Sequence, residues 1–507
     1  MKGEIDKWLV CKGYNHIDLP FSGKQRAWID SYVRNPKMVG KHAFMPLMHR
    51  VMRTYPFKID GDGKRKCKPK KRELHFASHF DAAIYGYYGH VLQERYERVL
   101  QEKKIDDVVT AYRKIKSESH LGNKSNIDFA HDVFAYIEGR VKSDFPLSVI
   151  TFDIKGFFDN LDHRLLKNKL KEVLDVESLS TDWYQIYKNV TNYSWVEEDD
   201  VFRLFKNRIK CKSKNETIKE KRVSRKWYLR DKKAVAFCGK TDLRLIRSKK
   251  LVHTRKELKE LSKIGIPQGL PISSTLANVY MVDFDVQAKK LLSEVGGIYR
   301  RYSDDIIVAC PLCVGEYVES KIREMIRNVK LEIERHKTNR YSFSMMKGEV
   351  LCLHSVKGNH KVLSYLGFSY DGNQILLKNS SISKFYYKMH QAVLHSMYFA
   401  VHINNKTKGK IFEHRLIAHY TGAGARPNKI YKRLKDGRFV LSPKRRYGNY
   451  LTYAYKSAKV MNSKGILHQV SRCSNKLSKE IKNAKEQVML SLHRKALYQL
   501  FTYGKTY

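Results

Sequence analysis

Arg301-Tyr302-Ser303-Asp304-Asp305-Ile306-Ile307-Val308-Ala309 decides how this chain is read. Ile298 and Tyr299 lead into it and Ile306, Ile307 and Val308 lead out, so β-prone residues flank two adjacent acids. The pattern predicts a β-hairpin with the carboxylates at or beside its turn. Neighbouring side chains diverge in a strand, whereas a tight turn lets both approach one small volume. Two carboxylates there repel unless a cation sits between them. Two-metal phosphoryl transfer needs such an arrangement. Taken alone, the pair reads better as a solvated Asp-Asp turn.

A second acid upstream weakens that bland reading. Leu147-Ser148-Val149-Ile150-Thr151-Phe152-Asp153-Ile154 is a short apolar run, consistent with a buried strand that ends in Asp153. A carboxylate in that setting is costly without a partner, and a metal shared with Asp304 and Asp305 would supply one. Between the two lies Gly265-Ile266-Pro267-Gln268-Gly269-Leu270-Pro271-Ile272-Ser273-Ser274-Thr275, a Gly/Pro turn opening into a helix. Its exposed backbone suits close approach of a nucleotide or template.

In this order the three stretches resemble motifs A, B and C of reverse transcriptases. Phe152-Asp153-Ile154-Lys155-Gly156-Phe157-Phe158 looks like motif A, Pro267-Gln268-Gly269 like the motif B turn, and Tyr302-Ser303-Asp304-Asp305 like the Tyr-x-Asp-Asp box. Lys337-Thr338 resembles motif D, and Tyr365-Leu366-Gly367-Phe368 resembles the motif E primer grip. The nearest look is that of bacterial abortive-infection and defence-associated enzymes, related to retrons and group II introns. The resemblance implies an α+β right-hand polymerase with fingers, a palm of antiparallel sheet plus helices, and a helical thumb. It implies fingers over residues 1–146, a palm over 147–380 with a basic insertion at about 195–262, and a thumb over 381–507.

The site residues follow in the same terms. Asp153, Asp304 and Asp305, with the Ile154 carbonyl, are expected to hold two Mg2+ ions, with Mn2+ an alternative, since oxygen-only ligands suit those metals. Phe158 is the steric gate that excludes a 2′-hydroxyl. Arg72, after the basic loop Gly61 to Lys71, reaches the incoming triphosphate, Gln268 lines the nucleotide pocket, and Lys337 donates a proton to pyrophosphate. Tyr302, Gly269, Leu366 and Gly367 meet primer or template. Tyr498, Tyr503 and Tyr507 are candidate priming hydroxyls in the C-terminal stretch.

Composition points the same way. Lys and Arg total 98 against 51 Asp and Glu, a formal charge of +47, which asks for a polyanionic partner. The 32 Tyr and 22 Phe interleave with basic residues, as stacking platforms in a basic channel would. The eight cysteines are scattered, which suggests a reducing compartment, and Cys310-Pro311-Leu312-Cys313 lacks a second ligand pair for zinc. The start carries acids and lacks an apolar core, so no signal peptide is expected, and no run of about 18 apolar residues spans a membrane.

Other expectations concern elements. Asp81 to Leu100 reads as a buried helix, Asp162 to Leu174 as a helix with one apolar face, and Leu276 to Leu292 as the motif B helix. Asp283 and Asp285 on the last read as helix surface or structural pairs. The insertion reads as a separate RNA-gripping lobe or as a flexible loop. Asp371-Gly372 marks a hairpin turn, and helices continue from Ser383 to the end, interrupted by the basic segment Ala425 to Arg446. The Tyr112-Arg113-Lys114 segment has no legible role.

The expected activity is RNA-directed DNA synthesis in the cytoplasm, using dNTPs and a dedicated noncoding RNA template, in antiphage defence. Oligomeric state is left open. Two alternatives stand beside it: a template-independent or protein-primed deoxynucleotidyl transferase on the same palm, and a catalytically silent RNA-binding scaffold.

Overall fold

The computed structural model describes residues 8–10, 13–55, 69–117, 122–213, 215–255, 263–354, 358–402, 408–426, 428–434, 438–446 and 448–503. Side chains at 428–430, 432, 433, 443–446 and 495–503 lie outside that description. The chain divides into two compact units. The first comprises Met1–Arg113, Ile150–Cys310 and Val314–Asn339; the second comprises Lys114–Val149, Pro311–Cys313 and Arg340–Tyr507. These units cut across the boundaries expected at 146/147 and 380/381.

In the first unit, β1 (Leu47–Thr54) and β2 (Lys70–Phe76) pair antiparallel, with His49 opposite His75 and Met52 opposite Arg72. The apolar run expected as a buried strand is β3 (Leu147–Asp153), buried from Leu147 to Ile150; its residues from Ile150 on belong to this unit and those before it to the second. Strand β4 (Ser194–Glu197) adds to β1 in parallel. The insertion continues through β5 (Ile209–Lys212), β6 (Ile218–Lys221), β7 (Ala234–Ala236) and β8 (Val252–Thr254). Strands β5 to β7 form their own sheet, while β8 returns to β4, completing a sheet of order β2-β1-β4-β8. Val201, Phe202, Phe205, Ile209, Phe237 and Ile246 pack with Ile17 and Met48 in one buried cluster. Over its described residues the insertion is therefore neither a flexible loop nor a separate lobe. Its apolar residues are sparse but converge on one core that it shares with β1.

Strand β9 (Ile298–Tyr302) and β10 (Asp305–Pro311) form the expected hairpin, with Tyr302 opposite Asp305, and β10 lies beside β3. Alternation puts Tyr299 and Arg301 inward and leaves Arg300 half-buried. The motif B helix is two helices, Ser273–Tyr280 and Val282–Glu294, that meet at Met281. Helix His163–Leu174 begins where the Asp162 carboxylate accepts from the Leu165 N–H (2.8 Å), a helix cap. Helix His79–Glu102 buries Phe80, Ile84, Tyr88, Leu92, Tyr96 and Leu100 on one face.

The second unit holds the hairpin of β11 (Asn339–Met346) and β12 (Glu349–His354), and the three-stranded β13 (Leu363–Tyr365), β14 (Phe368–Tyr370) and β15 (Ile375–Leu377). Asp371 and Gly372 turn the β14–β15 hairpin as expected. Asp371 Oδ1 accepts from the N–H groups of Asn373 (2.9 Å) and Gln374 (2.7 Å), and Gly372 has φ +107°. Helices Asn379–His402, Glu413–Tyr420, Tyr450–Val460, Lys464–Ser471 and Cys473–Tyr503 follow. The basic segment among them is a hairpin, β16 (Asn428–Arg433) with β17 (Phe439–Arg446), so the C-terminal region is not wholly helical. All six cysteines among the described residues are free, and no helix there is long and apolar enough to cross a membrane.

Candidate active site

The site begins with a strained turn. Ser303, between β9 and β10, has φ +62°, a conformation that costs a non-glycine residue roughly 1–2 kcal/mol. What holds it lies beneath. Arg301, 0% exposed, forks onto Asp285, also 0% exposed, through Nε–Oδ1 (2.8 Å) and Nη2–Oδ2 (2.6 Å). Its Nη1 donates to Asn278 Oδ1 (3.1 Å) and to the Ser303 carbonyl (3.2 Å). The Tyr299 hydroxyl donates to Asp285 Oδ1 (2.6 Å). Burial works against the Arg301 charge, but Asp285 outweighs it and raises the guanidinium pKa. Asp285 is thus a structural partner, and Asp283 pairs with Lys169.

Sequence reading left Tyr112-Arg113-Lys114 without a role; the segment from Val108 to Arg113 fixes the other side of the turn. The Arg301 N–H donates to Val108 O (2.8 Å), and the Thr110 N–H donates to Arg301 O (3.0 Å). Arg113 anchors the segment on Glu97 of helix His79–Glu102. Tyr112 (φ +63°) is thereby set over the turn, its hydroxyl 3.3 Å from Ser303 Oγ. An Arg on the inward phase of a strand, two residues after an inward Tyr, was the available signal.

Asp153 and Asp304 come together at the strand ends, where the Ile154 N–H donates to the Asp304 carbonyl (3.2 Å). Ile154 also bridges Ile333, with Glu334 N donating to Asp153 O and Lys155 N donating to Glu332 O, both at 2.9 Å. That pairing carries the short turn Arg335–Lys337 to the acids, and Lys337 Nζ binds Asp153 Oδ1 at 2.6 Å. Hydrogen bonding to Asp153, with Glu334 and Asp304 nearby, raises the Lys337 pKa despite partial desolvation. Asp305 follows Asp304 directly in the chain. It opens β10, exposed, on the side of Tyr302, whose pKa is raised by burial, Tyr112 and Asp305.

Among the described residues no three His, Cys, Asp or Glu side chains are placed to hold a metal ion. Asp153 and Asp304 nevertheless fit one. Their carboxylate oxygens are of the donor type that hard cations take, the two stand at adjoining strand ends, and the Lys337 ammonium lies on Asp153 there.

Motif B is pinned to motif A through its backbone. The Gly265 N–H donates to Leu161 O (2.7 Å) and the Ile266 N–H to Phe158 O (2.8 Å). Gly265 has φ +83°, and a side chain there would meet Asp159 O at 2.4 Å, so only glycine fits. Phe158 sits in the turn Phe157–Asp159, partly buried and edge-on to Phe157 (5.6 Å). The Gln268 carbonyl accepts from His75 N of β2 (2.8 Å). A Cβ on Gly269 would meet His75 O at 2.7 Å. The Gln268–Gly269 turn therefore lies on β2.

Strand alternation then decides which β2 side chains share the face of His75. Lys71 and Glu73 do; Arg72 stands on the opposite face, beside Met52 in register. An exposed strand of this kind offers no apolar alternation from which its phase can be read in sequence. Glu73 acts electrostatically on Asp159, and Arg255 bonds the Tyr193 hydroxyl at 3.1 Å. Sequence reading missed all four residues.

Leu366 (φ +45°) and Gly367 (φ +91°) make a tight turn in the second unit, where the Leu366 carbonyl accepts from the Asn126 amide (3.1 Å). The loop Gly61 to Lys68 and Tyr507 lie outside the described residues. Tyr498 and Tyr503 belong to helix Cys473–Tyr503, at positions whose side chains are not described.

Residues 208–370 match the family described as reverse transcriptase (RNA-dependent DNA polymerase). The match takes in Gln268, Asp304, Asp305, Lys337 and Gly367 and starts downstream of Asp153. Among solved structures, the chain is similar to apo telomerase from Candida tropicalis truncated from its C-terminal domain. There the TM-score is 0.37 at 10% identity, over 71% of this chain and 61% of that one. It is also similar to telomerase from Candida albicans in complex with a TWJ fragment of telomeric RNA, with TM-score 0.39 at 11% identity, over 95% of this chain and 68% of that one. No curated protein matches the chain. The family match thus assigns residues 208–370 of this chain a likeness to the reverse transcriptase (RNA-dependent DNA polymerase) domain, within a fold of mixed helix and sheet.

Proposed function

We propose that the chain copies an RNA strand into DNA, with Asp153 and Asp304 as the principal metal-holding carboxylates. The observation that carries the reading is their meeting at adjoining strand ends, with the Lys337 ammonium already on Asp153 Oδ1 (2.6 Å). Asp305 and the Ile154 carbonyl complete the proposed ligand set, Asp305 by turning about its strand-end position. When bound, Mg2+ or Mn2+ supplies activation of the attacking hydroxyl and charge screening for the leaving pyrophosphate.

The chain's own residues do the rest. Phe158, whose backbone is locked onto Ile266, presents a ring beside the motif B turn and selects the deoxy sugar by bulk. Gln268 and Gly269 hold the nucleotide pocket against β2, and Lys71 reaches the triphosphate from the His75 face. Lys337, on Asp153 Oδ1 in this structure, holds at the site a proton that its ammonium would give to pyrophosphate. Tyr302 and Tyr112 flank the growing end, and the Leu366–Gly367 turn supports the primer.

The division into fingers, palm and thumb is proposed in the same sense. The net charge of +47 supports a structured RNA as template and partner. The motif resemblance supports a bacterial, cytoplasmic role in antiphage defence. Primer extension on RNA and DNA templates tests the reading. RNA-templated DNA product supports it, template-free addition points to a terminal transferase, and no incorporation at all sinks the polymerase assignment.

A further inference from the structure

The insertion presents the most exposed tryptophan of the chain on a turn whose two ends are fixed in the core. Val223 and Leu229 belong to the buried cluster shared with β1. Between them the short turn Lys226–Tyr228 is closed by the Tyr228 N–H on the Arg225 carbonyl (3.0 Å) and the Leu229 N–H on the Lys226 carbonyl (3.2 Å). Lys226 reaches back to Asp199 Oδ1 (2.6 Å) and to the buried Glu198, which also accepts from Arg50 Nε of β1 (2.8 Å). With both ends buried and Lys226 held inward, Trp227 is turned out and is 66% exposed, beside an exposed Tyr228. The Arg225 guanidinium lies over the indole, 5.1 Å from the ring centre. Trp28, also exposed, is stacked on Phe80 (5.1 Å between ring centres, 18° between planes), whereas among the described residues Trp227 meets no ring but that of adjacent Tyr228.

The cations around this ring differ from those in the rest of the insertion. Arg208 pairs with Asp242, Lys210 with Glu220 and Lys212 with Glu216. Arg222, Arg225, Arg230, Lys232 and Lys233 are exposed and, among the described residues, make no ion pair. Asp231 is the one acid between Arg222 and Lys233. A solitary surface tryptophan is ordinary. Here the indole is held on a fixed turn, and the chain leaves the cations flanking it without counter-charge.

We propose that the face formed by Trp227, Arg225 and the cations beside them binds an unpaired stretch of RNA. The inference rests on the reading that the chain copies RNA. A base stacks on the indole, and the neighbouring phosphates lie on Arg222, Arg225 and Arg230. Charge complementarity selects this occupant: an RNA strand carries a negative charge at every residue and a flat ring beside each, which is what an exposed indole among cations complements. The strand is unpaired because a stacking ring needs a base face that stacking within a duplex hides. Every base has such a face, so the contact holds RNA without reading its sequence. The turn is already closed in the free chain, so binding does not have to order it. Through Glu198 and Arg50 it is anchored to β1, in the same unit as Asp153 and Asp304.

The experiment uses the full chain. A uridine-rich single-stranded RNA carrying 5-iodouridine is crosslinked to it by light, and the crosslinked peptides are mapped. Affinities for the same RNA without iodine, for the matching single-stranded DNA and for a blunt RNA duplex are measured at graded salt. The expected crosslink falls within residues 225–228. Trp227→Ala should weaken binding of the unpaired RNA by about tenfold and Trp227→Phe, which keeps a ring, by less than about threefold, with the duplex unaffected. Arg222→Gln combined with Arg225→Gln should lower the slope of log affinity against log salt by about one. Crosslinks elsewhere, with Trp227→Ala binding RNA as wild type does, overturn the proposal. An equal loss on the duplex overturns the stacking contact, and a loss confined to single-stranded DNA overturns the choice of RNA. Capture of a protein through Trp227 with RNA affinity unchanged makes the face a protein interface and also overturns it. The wild-type crosslink does not depend on any variant folding. Primer extension by the same wild-type sample separates the two readings. Crosslinking at the turn without extension removes the polymerase and keeps the RNA contact, and extension without crosslinks at the turn does the reverse.

Discussion

Two Asp–cation pairs in the first unit share a chemistry and differ in everything else. Asp285 and Arg301 are wholly buried, bidentate and joined by Tyr299 and Asn278. Asp153 and Lys337 make one contact, with 24% and 53% of their side chains exposed. A buried pair cannot be exchanged, since removing one partner strands the other charge in a low dielectric. An exposed pair with a flexible ammonium exchanges readily, because its Coulomb gain is small in water. The first pair therefore builds the turn that carries Asp304, and the second leaves Asp153, the acid proposed to hold a metal, with a partner that can be exchanged.

The largest effect is expected on the buried side. Asp285→Ala should cost about 3–5 kcal/mol of stability, measured by denaturant unfolding, because Arg301 is left charged and unpaired. A matched loss from Asp153→Ala would erase the contrast between the pairs. The double change Asp285→Leu with Arg301→Met should recover much of the deficit.

Next is a pH effect. Burial drives the His75 pKa down to about 3, with His49 and Arg255 adding, and it drives His16 down to about 4 against the pull of Asp18. Both rings are neutral in the folded chain, so as pH falls below 6.5 the unfolded chain takes up protons first. Stability present above pH 6.5 should drop by about 2 kcal/mol per histidine by pH 5. His75→Gln should flatten that slope; an unchanged slope would remove the histidine from the account.

Phe158→Val should shift the ratio of ribonucleotide to deoxynucleotide incorporation by about tenfold, the scale of a lost steric contact. An unchanged ratio assigns the gate elsewhere. The smallest effect is structural: Lys337→Met should change stability by less than about 1 kcal/mol. Sharpening the contrast, it should increase Mn2+ affinity in titration, since one competitor for Asp153 is gone. Weaker Mn2+ binding would mean that Lys337 organises the acid instead.

The contrast also explains what could be read from sequence. The acids at strand ends were legible because Val149, Ile150, Ile306, Ile307 and Val308 leave strands as the natural reading. The support beneath was not, because Arg301, Asp285 and Asn278 lie in three elements and look like ordinary polar residues until packing joins them. Lys71 against Arg72 was undecidable, since a strand as exposed as β2 has no apolar alternation to set its phase. The β16–β17 hairpin was hidden for a related reason: Tyr431, Phe439, Val440 and Leu441 are exposed, and charge dominates the segment around them. The insertion between β4 and β8 was misjudged because its core comes from scattered residues and borrows Met48 and Ile17.

The most direct test of the central claim compares wild type, Asp153→Asn and Asp304→Asn in RNA-templated primer extension at graded Mg2+, with folding and RNA affinity measured on the same samples. Both variants are expected to fold and to bind RNA as wild type does. Both should lose extension by a factor of about 10³ or more that extra Mg2+ does not restore, as loss of a metal-holding carboxylate requires. Full extension by either variant would contradict the assignment of Asp153 and Asp304 as the metal-holding pair.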